Sequence, residues 1–177
     1  MVRSKGVFVA LEAAKILKDK GYSFNFYFTG NWFDINRSDF FSFVRDNSLS
    51  DYIKYKGFLA EKEKHKLLAE SDVFIYPTYN DIFGIVNIEA MQFGLPVIST
   101  NEGAIAEIIE DGVSGFIVNK KDSVAVAEKA ELLINNPELC KNMGEAGRTK
   151  FLKAYSWDKF DKRLIDIFKE IIIKTSV

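Results

Sequence analysis

Two carboxylates frame the stretch of this chain best suited to chemistry. Asp81 and Glu89 are separated by seven residues, and the run between them, Ile82-Phe83-Gly84-Ile85-Val86-Asn87-Ile88, is apolar apart from Asn87. Upstream, the apolar run Asp72-Val73-Phe74-Ile75-Tyr76 stops at Pro77, a polar loop follows, and helical spacing resumes near Phe83-Gly84. The first turn of a helix leaves backbone N–H groups unpaired, which makes an anion site suited to a diphosphate. Gly84 has no side chain to hold a ligand away from that backbone. Glu89, deeper in the helix, is acceptor-only and can take two hydrogen bonds from vicinal hydroxyls such as those of a ribose. On spacing alone plainer roles stay open: Asp81 as a helix N-cap, Glu89 as an exposed helix residue, Gly84 and Gly94 as packing and stop residues.

The elements that must position these residues alternate along the chain. Val7, Leu11, Ala14 and Leu17 recur at helical spacing and predict a helix over 4–20, stopped by Gly21. Phe24, Phe26 and Phe28 fall on one face of a strand over 23–29 that ends at Gly30. A helix over 38–47 with Ser38 as N-cap, a short strand over 52–55 closed by Gly57, and a charged helix over 61–70 follow. The continuous apolar run 72–76 suits a parallel strand covered on both faces. Beyond it the pattern predicts a helix over 83–93, a strand over 96–99, a short helix around 104–110 and a strand over 114–118. From Ser123 onward it is helical only. Pro137 opens a helix toward Tyr155, and Phe160, Leu164, Ile167, Phe168, Ile171 and Ile172 mark a terminal amphipathic one.

Strands alternating with helices imply an α/β fold with a doubly wound parallel sheet, in one domain spanning 1–177 with the helices of 137–175 packed on it. Ligands of such sheets bind beyond the carboxyl ends of the strands. Three strand ends therefore stand out: Thr29-Gly30-Asn31, Tyr55-Lys56-Gly57-Phe58, and the loop from Pro77 to Gly84.

Composition narrows the classes. At 177 residues and 47% apolar, with 16 Phe, the chain buries a core and is not disordered. Its 24 basic and 25 acidic side chains leave a net charge of -1, so no overall field favours nucleic acid. A single cysteine, Cys140, excludes an internal disulfide and reads as a packed thiol. A single histidine, His65, sits in the run Glu61-Lys62-Glu63-Lys64-His65-Lys66, read as a solvated helix face, and no metal site is expected. Glu12 interrupts the N-terminal apolar stretch before it reaches signal length, so a reducing, cytoplasmic setting is expected, with room for a peripheral place at the inner face of a membrane in a full-length enzyme. No Gly-x-Gly-x-x-Gly follows a strand, which argues against a dehydrogenase.

Taken together, the run from Asp72 to Thr100 resembles the C-terminal domain of retaining glycosyltransferases of family 4, which have the GT-B architecture of two Rossmann-like domains. Their signature is an acid, seven residues, a glutamate, and then a Gly-Leu/Lys-Pro-Val stretch, matched here by Asp81, Glu89 and Gly94-Leu95-Pro96-Val97. The resemblance continues through Glu102 to Val118 and ends at Tyr155-Ser156-Trp157. Ser4-Lys5-Gly6-Val7 resembles the Lys-Gly that opens the domain's first helix, so nearly the whole chain is covered.

The resemblance implies transfer of a sugar from a nucleoside-diphosphate sugar, with retention and with no cofactor or bound metal, as in polysaccharide biosynthesis. By it, Glu89 would hold the donor ribose and Asp81 would face the donor sugar. The backbone of Ile82, Phe83, Gly84 and Ile85 would contact sugar hydroxyls and diphosphate, and Lys5 would neutralise the phosphates, a task suited to a compact ammonium. Gly57 and Phe58 would read the nucleobase, and Gly30 and Asn31 would form a loop near the donor. Where the family usually has Glu, Asp81 stands one methylene shorter, and Ala104 replaces a frequent second glycine. The family also places a strand and an Arg before the Lys-Gly. Arg3 is out of register for that role.

The first strand of the domain and the N-terminal acceptor-binding domain are thus expected to lie outside this chain, which alone would be inactive. A sheet lacking that strand is expected either to close around the gap or to self-associate through its exposed edges. A non-catalytic interaction domain that keeps the fold without the donor, and another GT-B enzyme such as a sugar-nucleotide epimerase, are the competing readings.

Overall fold

The computed structural model describes residues 1–175. After a 3₁₀ turn over Arg3–Lys5, the elements run α1 (Val7–Asp19), β1 (Phe26–Thr29), α2 (Arg37–Asp46), β2 (Ile53–Gly57), α3 (Glu61–Ala69), β3 (Phe74–Tyr76) and α4 (Ile85–Gln92). Then come β4 (Val97–Thr100), α5 (Ile105–Ile108), β5 (Gly115–Val118), α6 (Ser123–Asn135), α7 (Pro137–Ala154) and α8 (Trp157–Thr175). The strand–helix alternation holds, and every strand pairing is parallel.

Helices cover both faces of the sheet, as the pleat of β4 and β5 shows. Ile98, Phe116 and Val118 face one way, into a core with Val9, Ala13 and Leu17 of α1 and Val126, Ala127, Ala130 and Leu133 of α6. Val97 and Ile117 face the other way, toward Ala90 and Met91 of α4 and Ile105 and Ile108 of α5. Alanines at the facing positions of α1 and α6 let these two helices lie close. A third core joins α1 and α2 to β1 and β2 through Leu11, Phe28, Phe40 and Ile53. Leu11 is fully buried there, and cutting it to alanine would cost about 2–5 kcal/mol.

The sheet itself is divided. β1 pairs with β2 in one sheet, and β3, β4 and β5 pair in order in a second. Neither closure of β1 onto β3 nor a single continuous sheet is seen among the described residues.

Boundaries move where backbone conformation overrules side-chain pattern. α1 starts at Val7 rather than residue 4 because Gly6 takes φ +80°, outside the helical region. α4 starts at Ile85 rather than 83 for the same reason, with Gly84 at φ +72°. β1 is shorter than the Phe24-Phe26-Phe28 alternation predicts, since only 26–29 has a ladder partner. α2 opens at Arg37 after an extended Asn36, so Ser38 lies inside the helix and is not its cap. α7 packs on α4 and β5. On α8, Trp157, Phe160, Ile165 and Phe168 are exposed. No described helix is long and apolar enough to cross a membrane.

Candidate functional site

The loop between β3 and α4 is built around the Asp81 carboxylate. Its Oδ1 accepts from the backbone N–H of Phe83 (3.2 Å) and of Gly84 (2.9 Å). Its Oδ2 accepts from Tyr76 Oη (2.6 Å) and from Lys5 Nζ (2.8 Å). Four donors match the roughly four lone-pair sites of a carboxylate, so the group is saturated within the protein. Burial raises the Asp81 pKa, but the bonds from Lys5, Tyr76 and the Gly84 N–H outweigh it and hold the value at about 2. Burial, and then the bond to Asp81, push the Tyr76 hydroxyl well above its ordinary range.

Two glycines fix this corner. A Cβ at Gly6 would collide with the carbonyl of Pro77, so the turn carrying Lys5 sits directly against the end of β3. That contact also lets Ser4 O accept from Tyr79 N–H (2.8 Å) and Thr78 Oγ1 (3.0 Å). Gly84 serves packing as well as backbone freedom. A Cβ there would lie 2.7 Å from both Asn87 Nδ2 and Ile105 Cγ1, so the space its missing side chain leaves is filled by protein. Asn87 is fully buried, and neither amide atom of its side chain has a hydrogen-bond partner.

Glu89 projects from α4 into a cleft also lined by Lys5, Lys64, Tyr76 and Val86. Its Oε1 accepts from Lys64 Nζ of α3 at 2.7 Å, and both side chains keep about a third of their surface exposed. Lys5 Nζ donates to Asn80 O (3.0 Å) as well as to Asp81. An ammonium has three donors, so one remains for a ligand. The amides of Ile85 and Val86 open α4, where the helix itself supplies no acceptor.

The other predicted residues at strand ends belong to the sheet of β1 and β2. Gly30 and Gly57 adjoin at the carboxyl ends of β1 and β2, where Gly30 N–H donates to Gly57 O (2.7 Å) and Tyr55 Oη donates to Gly30 O (2.7 Å). Asn31 follows Gly30 directly, and Phe58 is 71% exposed beside Gly57. Ile82 and Ile85 are also exposed, leaving an uncovered apolar rim on the loop. Lys5, Asp81 and Glu89 thus share one region with the start of α4. The Gly30 and Gly57 turns form a separate group at the ends of the other sheet.

Sequence reasoning passed over Tyr76 and Lys64 as site residues. Tyr76 had a signal, as a hydroxyl at the last residue of a strand five positions before Asp81. Lys64 belonged to a charged run read as a solvated face, and nothing local distinguishes it from its neighbours. His65 on that run lies 3.9 Å from Glu61 and faces the ring of Phe93. Cys140 packs partly buried, with its Sγ 3.5 Å from Asp72 O. Among the described residues no group of three or more His, Cys, Asp or Glu is arranged to hold a metal ion.

Comparison with known proteins gives this geometry a context. Residues 1–150 match the model of the family described as glycosyl transferases group 1. Over 96% of its length the chain is 31% identical to the capsular polysaccharide biosynthesis glycosyltransferase CapM of Staphylococcus aureus, of which it covers 45%. A glycosyltransferase from Rickettsia africae superimposes with a TM-score of 0.85 at 25% identity, covering 97% of this chain and 46% of that one. HepE of Anabaena, solved in complex with UDP-glucose, also gives a TM-score of 0.85, at 18% identity, with 96% of this chain and 46% of that one covered. The chain thus spans under half the length of each of these proteins.

Proposed function

This chain belongs to the group 1 glycosyl transferases, and we propose that it forms the half of such an enzyme that binds the nucleoside-diphosphate sugar. In this reading the donor lies beyond the carboxyl ends of the strands, with its diphosphate at the start of α4. The observation that carries it is that Lys5, Val86 in the first turn of α4 and Glu89 line one cleft.

The remaining donor of Lys5 and the amides of Ile85 and Val86 would meet the charge that develops on the departing diphosphate. Glu89 keeps Oε2 and one lone pair of Oε1 beyond its bond to Lys64, which is sufficient for the two ribose hydroxyls. Asp81, with all its acceptor sites taken, acts by positioning: it holds Lys5 and the 81–84 loop in place. Gly57 with Phe58 would meet the base, and Gly30 with Asn31 would flank the donor. Transfer would proceed with retention to an acceptor held by a second domain, in the manner of a two-domain enzyme.

Calorimetric titration of the folded chain with UDP, GDP and ADP tests the binding reading. Saturable heat with one of them is expected. No heat with any would assign the chain to the competing role of an interaction domain that keeps the fold without the donor.

A further inference from the structure

One backbone conformation stands apart from the glycine turns. Lys121 takes φ +62°, in the left-handed region, although it carries a side chain. It lies between β5 and α6 in the turn 119–122, which Asp122 N–H closes on Asn119 O at 3.3 Å. The third residue of such a turn is ordinarily Gly or Asn, because a Cβ at positive φ crowds the backbone. The other left-handed residue with a side chain, Ser48, follows α2, where this conformation is a common helix stop. What a lysine adds to the 119–122 turn is its ammonium.

That ammonium reaches the loop after β3. Lys121 Nζ lies over the ring of Tyr79, 4.9 Å from its centroid. Arg3 is held in the same way, with Cζ 4.9 Å from the centroid of the Phe8 ring. Both cations and both rings line one hollow of about 240 Å³, completed by Val9 and Glu12 of α1. Sites for drug-sized ligands run to about 300–1,000 Å³, so this one suits a single small group. Arg3 stands two residues from Lys5 and Tyr79 two from Asp81, so the hollow adjoins the Lys5–Asp81 corner.

Charge points to the occupant. Among the described residues neither Lys121 Nζ nor the Arg3 guanidinium has a carboxylate partner, whereas the adjoining Lys120 pairs with Glu102. A ring face attracts a cation without using up its N–H donors, so both cations keep donors for an oxyanion. Glu12 sets the other half of the requirement, since its carboxylate accepts from hydroxyls. Two cations against this one acid leave a single net positive charge, which matches a carboxylate better than a doubly charged phosphate.

We propose that Arg3 and Lys121 form a subsite for an acidic sugar, with its carboxylate held by the two cations and its hydroxyls meeting Glu12. The subsite stands whether or not a nucleotide binds at α4.

Amide chemical shifts of the isotope-labelled chain test this during titration with sodium glucuronate, inorganic phosphate or glucose, at an ionic strength held constant with chloride. Glucuronate should give saturable shifts at Arg3, Phe8, Glu12, Tyr79 and Lys121. Saturation in the millimolar range is expected, since both cations are open to solvent. Glucose should give none, and phosphate should bind this hollow more weakly than glucuronate. Lys121→Gly should weaken glucuronate binding about ten-fold and leave the melting temperature unchanged or higher, because glycine tolerates the left-handed backbone. Arg3→Gln should weaken binding about as much.

Any of four results overturns the proposal. Glucuronate shifts that do not saturate, or that glucose reproduces, remove the carboxylate from recognition. Tighter binding of phosphate in the hollow assigns it to a different anion. Shifts confined to Lys5, Ile85 and Val86 place the acid at the diphosphate site instead. Binding that neither substitution weakens removes Arg3 and Lys121 as its holders. Titration with UDP in the same samples keeps the two sites apart: a chain that takes glucuronate but no nucleotide keeps the subsite and loses the donor reading.

Discussion

Lys64 of α3 and Glu89 of α4, twenty-five residues apart in sequence, meet at 2.7 Å on the wall of the cleft. The pair ties the acid proposed to hold the ribose to a helix that carries none of the signature residues. Both side chains are about a third exposed, so solvent screens the pair and its contribution to stability is small. Its consequence is orientation: the Glu89 carboxylate is held by a cation on one oxygen and keeps the other for a ligand.

Glu89→Gln should therefore separate binding from folding. If the ribose is held by a charge-assisted pair of bonds, nucleotide affinity should fall by about ten-fold or more, from the loss of about 1.5–3 kcal/mol. The melting temperature should change by less than about 2 °C, because the Lys64 pair is worth about 0–1 kcal/mol. Calorimetry and thermal melts on the same samples read both quantities. Unchanged affinity would remove the ribose role.

Asp81→Ala should show the opposite balance. It leaves the N–H groups of Phe83 and Gly84 and the hydroxyl of Tyr76 without their acceptor. A loss of about 2–3 kcal/mol is expected in chemical denaturation, as for a lost cap combined with a charged hydrogen bond. Asp81→Glu, with its longer reach, should recover only part of it. Full stability in Asp81→Ala would show that the loop does not depend on this carboxylate.

The same residue gives the chain an acid-sensitive component. Its folded pKa of about 2 lies below the ordinary value of 3.8, so the unfolded chain binds the proton more readily. This stabilisation is complete above the unfolded value and disappears as pH falls through about 2. Discounted for partial exposure, it amounts to about 1–2 kcal/mol. Urea midpoints measured at steps between about pH 5 and about pH 2 should fall for the wild-type chain and fall less steeply for Asp81→Asn. Parallel profiles would assign the acid sensitivity to other carboxylates.

Glycine substitutions should rank by what a Cβ would meet. Gly84→Ala combines a left-handed backbone with contacts at 2.7 Å to Asn87 and Ile105, and should cost about 2–4 kcal/mol. Gly112→Ala has a similar φ of +75° but nothing within 4 Å, and should cost about 1 kcal/mol from the backbone alone. Equal melting temperatures for the two variants would show that the Gly84 corner can relax around a methyl group.

Local periodicity carried the class of fold and the identity of its elements. The Phe24-Phe26-Phe28 alternation, the 72–76 run and the helical spacing of α1 each report which side of one short segment must avoid water, and water-avoidance is written residue by residue. The Asp81–Glu89 spacing was legible for the same reason, since one loop and one helix carry both. The sequence also placed Lys5 and Gly6 at the head of the first helix, but it showed neither the Pro77 carbonyl that makes Gly6 obligatory nor the Asp81 oxygen that engages Lys5.

Those facts belong to the tertiary structure because they join residues far apart along the chain. Nothing in the 61–66 charge run distinguishes Lys64 from Lys62 or Lys66; only the packing of α3 beside α4 selects it. The open seam between β1 and β3 is likewise invisible to hydropathy. Each strand reads as covered, and whether an edge finds a partner depends on what lies beside it in space.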